Sequence, residues 1–171
     1  LPICRGRERL EAEVDRFLKK IRRRDPRDRE GRVRLGVLGV PPIWADLYSS
    51  LERGGAHVVF NEVQRQFSMP DCSPDLADQY LRFTYPYDVF FRLQDIQRET
   101  KRRSIHGFVH YVQSFCFRQI EDKILRRSLS VPLLTLEGDR PEPLDSRTKT
   151  RIEAFLEMLA RNRRRAGTSA G

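Results

Sequence analysis

The chain has 171 residues, 39% of them apolar and 33% charged, with a formal net charge of +9. That is enough for one domain with a real core, and no apolar run approaches the roughly 20 residues that cross a bilayer. The basic excess lies at the ends, with 13 basic and 7 acidic side chains in residues 1–34, 7 and 2 in residues 147–171, and 13 and 15 between. A nucleic-acid reader joins a basic face to a recognition element or stacking aromatics. No such combination occurs here, so solvated helix faces and basic tails account for the charge.

Leu10, Val14, Phe17, Leu18 and Ile21 mark one face of a first helix, about residues 7–24. A polar linker with strong breakers follows over residues 25–31. Residues 33–38 form the first strand, ended by Gly39-Val40-Pro41-Pro42, where the two prolines stop the ladder and stiffen the loop. A short helix over 43–53 stops at Gly54-Gly55, and a second strand spans 57–60. Residues 63–87 are the least regular part, with one short helical stretch, and a long irregular connection is often a functional loop.

A helix returns over 88–103, with Val89, Phe90, Leu93 and Ile96 expected inward. The third strand is the apolar run 107–112, ended by Gln113-Ser114. The next helix should carry Phe117, Ile120 and Ile124 on its core face, which puts Cys116 in its first turn. Residues 132–136 make the fourth strand, leading into Glu137-Gly138-Asp139-Arg140. The last helix, about 146–161, presents Ile152, Phe155, Leu156 and Leu159, and residues 163–171 read as a disordered basic tail.

Alternating strands and helices imply an α/β fold with a four-stranded parallel sheet and helices on both faces. Right-handed crossovers favour the order 2-1-3-4, a flavodoxin-like half. The chain then leaves strands 1 and 3 in opposite directions, and their C-terminal ends form a topological switch point where ligands bind. Pro41 and Pro42 would face Gln113, Ser114 and Cys116 across one crevice. A thiolate near a helix N-terminus is favoured by free N–H groups and partial positive charge; the plainer reading of Cys116 is a small buried hydrophobe.

Other signals are weaker. No Gly-x-Gly-x-x-Gly follows the first strand and no Walker-type loop occurs. His57, His106 and His110 lie in or beside strands, where packing is the ordinary role. Glu137 and Asp139 are candidate catalytic carboxylates at a strand end, with helix capping or pairing to Arg140 as the alternative. Cys4, Cys72 and Cys116 lack Cys-x-x-Cys spacing and are odd in number. They form neither a disulfide framework nor a self-contained metal site, and a reducing, cytoplasmic setting follows.

The stretch Gly107-Phe108-Val109-His110-Tyr111 through Gln113-Ser114-Phe115-Cys116 to Gln119-Ile120-Glu121-Asp122 resembles the 2-hydroxyacyl-CoA dehydratase and benzoyl-CoA reductase family, D-component type. So do residues 136–140 and 150–159. Gly39-Val40-Pro41-Pro42-Ile43, residues 60–70 and Thr84-Tyr85-Pro86-Tyr87 are similar to one branch of it. The likeness spans about residues 32–160.

The resemblance implies a lyase subunit acting on an acyl-CoA in the cytoplasm, without nucleic acid or membrane as partner. It implies a four-iron four-sulfur cluster held by three cysteines and fed electrons by an ATP-dependent activator. One electron on the thioester carbonyl lets an unactivated β-hydrogen and the hydroxyl leave. Cys116 matches the family's cysteine at this motif and would be one cluster ligand. Pro41, Pro42, Gln113 and Ser114 would shape the substrate crevice, with Glu137 the catalytic candidate; a flavin is also compatible.

A full subunit is longer, and its other cluster cysteines lie in an upstream domain. Residues 1–31 then read as a helix and linker, and residues 32–162 as the C-terminal domain of such a subunit. The cluster would be shared with that upstream domain or met at a second dehydratase subunit, and the isolated chain would be inactive. The alternative is a docking domain that has lost the cluster. An uncovered sheet edge would also allow self-association.

Overall fold

The computed structural model describes residues 2–22, 31–68, 73–81 and 89–168, with side chains described from residue 8 to 21 and to residue 165 thereafter. It divides into two compact units, residues 1–31 and residues 32–171. The first unit is α1 (Pro2–Arg22), a helix whose Leu10, Val14, Phe17 and Leu18 side chains are exposed. The second holds β1 (Val33–Gly39), α2 (Leu47–Arg53), β2 (Ala56–Asn61), α3 (Glu62–Phe67), α4 (Leu76–Leu81), α5 (Val89–Arg102), β3 (Gly107–Val112), α6 (Arg118–Ser128), β4 (Leu133–Glu137) and α7 (Ser146–Thr168).

The sheet is parallel throughout, in the order β2-β1-β3-β4. Strand pairing sets Leu35 opposite Gly107 and Gly39 opposite Tyr111, then Val109 opposite Leu134 and Val112 opposite Glu137. Both faces are covered, so β3 is buried along its whole length, as parallel sheets require. Side chains alternate between two cores. Val33, Leu35, Val37, Val109, Tyr111 and Leu136 meet Leu47 and Leu51 of α2 and Ile152, Phe155, Leu156 and Leu159 of α7. On the other face Leu38, Phe60, Phe108 and Leu133 meet Ile96 of α5 and Leu125 of α6. No helix among the described residues is long and apolar enough to cross a membrane.

The α/β architecture and strand order are those the sequence implies; several details differ. Residues 63–67, read as the start of an irregular stretch, belong to α3, which begins at Glu62 directly after β2. The helix expected to end near Arg161 continues to Thr168, with Arg163 Nη1 donating to the Arg32 carbonyl at 3.0 Å. Helix α5 turns Arg92, Asp95, Ile96, Glu99 and Thr100 inward, whereas Phe90, expected inward, is exposed. Helix α6 does the same, burying Arg118, Glu121 and Leu125 while Phe117 and Ile120 face solvent. In both helices charged side chains that find partners across the interface displace the apolar stripe from the core. Cys72, Met69-Pro70 and Thr84-Tyr85-Pro86-Tyr87 lie outside the described residues, as does the side chain of Cys4.

Candidate functional site

The switch point lies between β1 and β3. At the end of β1, Gly39 has φ +99°, a left-handed conformation that glycine adopts without penalty. A Cβ there would overlap the Tyr111 carbonyl of β3. The chain turns off with the Val40 N–H donating to that carbonyl at 3.2 Å, then passes through exposed Pro41 and half-buried Pro42.

Trp44 follows and is buried. Its ring meets Tyr111 edge-on, 5.0 Å between centroids at 68°, and lies against Gly138 so closely that a Cβ would overlap it. The gap expected between the strand-end loops is therefore filled here by an indole. The Tyr111 hydroxyl donates to the Gly138 carbonyl at 2.6 Å and is also bonded by the Ile43 N–H and the Gln113 side chain. Burial pushes the Tyr111 phenol up despite those last two bonds. One phenol thus joins all three loops, and Asp46 Oδ1 adds a clasp by accepting the Leu144 N–H at 3.0 Å.

Beyond β3 the loop makes a tight turn in which the Cys116 N–H donates to the Gln113 carbonyl at 3.0 Å. Phe115 occupies a left-handed conformation, φ +61°, with its ring fully exposed. This backbone reversal delays the helix. Helix α6 begins at Arg118 behind an N-cap Phe117, so Cys116 precedes the helix and is not in its first turn, as the sequence suggested. The Gln119 and Ile120 N–H groups donate to the Cys116 and Phe117 carbonyls, each at 3.0 Å. Two of the donors that would favour a thiolate are thereby already engaged. The Cys116 thiol is half-buried and in no disulfide.

The end of β4 is tied to the same turn. Ser114 N–H donates to Asp139 Oδ1 at 2.8 Å, and Ser114 Oγ lies 2.5 Å from Asp139 Oδ2 and 3.0 Å from Glu137 Oε1. Gln119 Nε2 donates to Glu137 Oε2 at 2.9 Å. The two Ser114 bonds, side chain first, hold the Asp139 carboxyl below the usual carboxylate range. Glu137 and Asp139 therefore act as clips on the cysteine turn, exposed to solvent and engaged by neutral donors.

Beneath the turn is a network of four buried charges that sequence reasoning missed. Glu62, the first residue of α3, accepts the Gly39 N–H at 2.8 Å. It also binds Arg92 of α5 through both carboxylate oxygens, with Nη2 to Oε2 at 2.8 Å. Arg92 Nη1 reaches Glu121 Oε2 of α6 at 2.6 Å, and Arg118 Nη1 donates to the same oxygen at 3.1 Å. Relative exposures are 1% for Glu62, 0% for Arg92 and 1% for Arg118. Burial alone would raise the Glu62 carboxyl, but the Arg92 charge and its hydrogen bonds bring it below the ordinary value. The only hint in the sequence is spacing: Arg92, Ile96 and Glu99 share one helical face, as do Arg118, Glu121 and Leu125.

Nearby on β3, His110 is fully buried with Nδ1 2.9 Å from Asp122 Oδ1. Asp122 also accepts from Thr135 and, at 2.6 Å, from Arg126 Nε. This cluster braces α6 against β3 and β4. A groove of about 370 Å³ lies elsewhere, lined by Ser50, Arg53, Gly54, Lys149, Ile152, Glu153 and Leu156 of α2, α7 and the turn after α2. None of the residues expected to shape a substrate site line it.

The structure therefore brings Gln113, Ser114, Cys116 and Glu137 together around one turn and places Pro41 and Pro42 on the adjoining loop. Among the described residues no three His, Cys, Asp or Glu side chains converge to hold a metal ion. Among the described residues a soft metal centre meeting this surface would find one cysteine, Cys116, and would take its other ligands from outside them.

A family model described as 2-hydroxyglutaryl-CoA dehydratase, D-component, matches residues 2–159. No curated protein matches the chain.

Proposed function

This chain belongs to the 2-hydroxyglutaryl-CoA dehydratase D-component family, and from that premise we propose that it serves a dehydratase-type subunit by presenting Cys116 as one ligand of an iron–sulfur cluster. The observation that carries the reading is the position of Cys116 on the loop leaving β3 at the β1/β3 switch point, in a turn held from the β1 and β4 sides. Ser114 and Gln119 are held by the β4 carboxylates, and Tyr111 is held by the β1 and β4 loops. A four-iron four-sulfur cluster supplies one-electron transfer when bound, and thiolates are its usual ligands.

The chain's own residues orient and cover. The turn sets the thiol's direction. Phe115, Phe117 and Ile120, within four residues of Cys116 in sequence, expose apolar surface, which a polypeptide partner would cover to exclude water. That partner, in this reading, is an upstream domain or a second dehydratase subunit carrying the remaining cysteines. The acyl-CoA and the ATP-dependent electron donor would be engaged by the complete assembly in the cytoplasm. Gln113, Pro41 and Pro42 support the loops against which the substrate lies, and Glu137 holds the turn through Ser114 and Gln119.

The test is iron and acid-labile sulfide content after anaerobic reconstitution of the chain together with its partner polypeptide, beside the same preparation carrying Cys116→Ser. Iron and sulfide that bind the native assembly and are lost from the variant support the reading. Equal contents in both would show that Cys116 is not a ligand and favour a docking domain.

A further inference from the structure

We propose that Arg92 is a positioning residue for Cys116: with Glu62, Glu121 and Arg118 it locks the cysteine turn to the end of β1. The proposal deepens the cluster reading and rests on it for its functional meaning. Its physical basis is independent.

The linkage is continuous. Gly39, where β1 releases the Pro41-Pro42 loop, donates its N–H to Glu62 at 2.8 Å. Glu62 grips Arg92 in a two-pronged pair, and the planar guanidinium fixes direction as well as distance. The remaining prong of Arg92 goes to Glu121 at 2.6 Å. Glu121 and Arg118, joined at 3.1 Å, are in the first turn of α6, and Arg118 is two residues from Cys116. The Arg118 guanidinium also lies 4.9 Å from the centre of the Phe117 ring, the residue between them. Two walls of the switch point are thus connected through buried charge pairs carried by α3, α5 and α6.

A role in cohesion alone explains this poorly. Taking four charges out of water costs much of what their pairing returns, and apolar replacement of a whole buried network is often tolerated or stabilising. What the network adds is geometry: hydrogen bonds of fixed direction where apolar contacts would let the start of α6 slide. That start needs fixing, because the turn before it contains a left-handed phenylalanine and the helix opens on short-range bonds.

The test uses the full chain and reads the rate at which iodoacetamide alkylates Cys116, resolved from Cys4 and Cys72 by peptide mass spectrometry. The principal variant is Glu62→Gln/Arg92→Met/Arg118→Met/Glu121→Gln, which leaves no buried charge of the network without a partner. With circular dichroism and melting temperature close to native, Cys116 should react at least about tenfold faster, since a turn held only by apolar contacts opens more readily. A rate within about twofold of native in that folded variant would overturn the proposal, because a network serving only cohesion would leave the thiol unchanged once stability is restored.

Glu121→Gln provides the second arm, since it keeps an acceptor for Arg92 and leaves the Glu62 pair intact. It should raise the rate by a smaller factor, and an unchanged rate there would also overturn the proposal if the fourfold variant failed to fold. The thiol readout needs no cluster. Retention of iron in Cys116→Ser would defeat the cluster reading while leaving this result standing, and the reverse outcome is equally visible.

Discussion

Replacing Phe115 by glycine separates the backbone of the cysteine turn from the ring it displays. At φ +61° the left-handed conformation costs a non-glycine residue about 1–2 kcal/mol. The ring is fully exposed, so its loss forfeits no burial in this chain. Against the relief stands the extra freedom of glycine in the unfolded chain, about 0.5–1 kcal/mol. Relief is the larger, so Phe115→Gly should be neutral or stabilising by up to about 1.5 kcal/mol. Phe108→Ala, at a fully buried position of β3, should instead cost about 3–5 kcal/mol. Urea unfolding followed by Trp44 fluorescence measures both. With a slope of about 2 kcal/mol per molar urea, the Phe115→Gly midpoint should rise by no more than about 0.75 M. A fall of that size would refute the reasoning, since it would mean that the ring packs against the protein in solution. If the proposed assembly forms, the same variant should retain less iron there, because the proposal places the ring under the partner.

Two further outcomes follow from the geometry. Glu99 is buried, and although burial raises its carboxyl, hydrogen bonds from Arg102 and Arg103 and the charge of Arg65 hold it down at about 2, below an ordinary 4.5. A carboxyl depressed on folding stabilises fully above its unfolded value and loses that contribution as pH falls through its folded value. The difference is worth about 2–3 kcal/mol after allowance for solvent around Arg102. Glu99→Gln should therefore lower stability by about that amount at pH 6 and by little near pH 2, in denaturation midpoints taken across that range. An equal loss at both ends would show that the pairing is not electrostatic. Gly138→Ala places a methyl where the Trp44 ring lies, an overpacking that costs about 1–3 kcal/mol. Because Trp44 is the chain's single tryptophan, its emission should shift to the red as the indole is displaced, and an unshifted spectrum with native stability would contradict the packing described.

The strands were legible because each is an apolar run bounded by breakers, and the sheet order followed from chain handedness. The cysteine turn was legible for the same reason: β3 is apolar through Val112 and stops at Gln113-Ser114. Helix α3 was not. Asn61-Glu62-Val63-Gln64-Arg65-Gln66 has almost no apolar periodicity, and Glu62 and Gln66 are nonetheless its buried residues. Periodicity measures burial by hydrophobicity and cannot detect a carboxylate buried by its partners. Trp44 was passed over because a single aromatic after two prolines forms no pattern; only the proximity of Tyr111 and Gly138 in the fold gives it a place.

The displaced faces of α5 and α6 connect the missed residues to the site. Reading the α6 stripe as Phe117, Ile120 and Ile124 puts its inward face one residue out of phase with the face that is buried, Arg118, Glu121 and Leu125. Either rotation is open to the helix on pattern alone. The observed one places a charge pair inside, which gains only if every hydrogen bond is made, and leaves two large apolar side chains outside, which gains only if something covers them. Toward the first condition, Arg92 gives Glu121 a second buried partner and is itself held by Glu62. The second is not met among the described residues, since Phe117 and Ile120 stay 54% and 76% exposed, and both lie within four residues of Cys116. The charge network and the exposed side chains are thus two consequences of a single helix rotation, and a variant that repacked α6 with Phe117 inward should alkylate faster at Cys116 and, on the proposed reading, bind its partner less well.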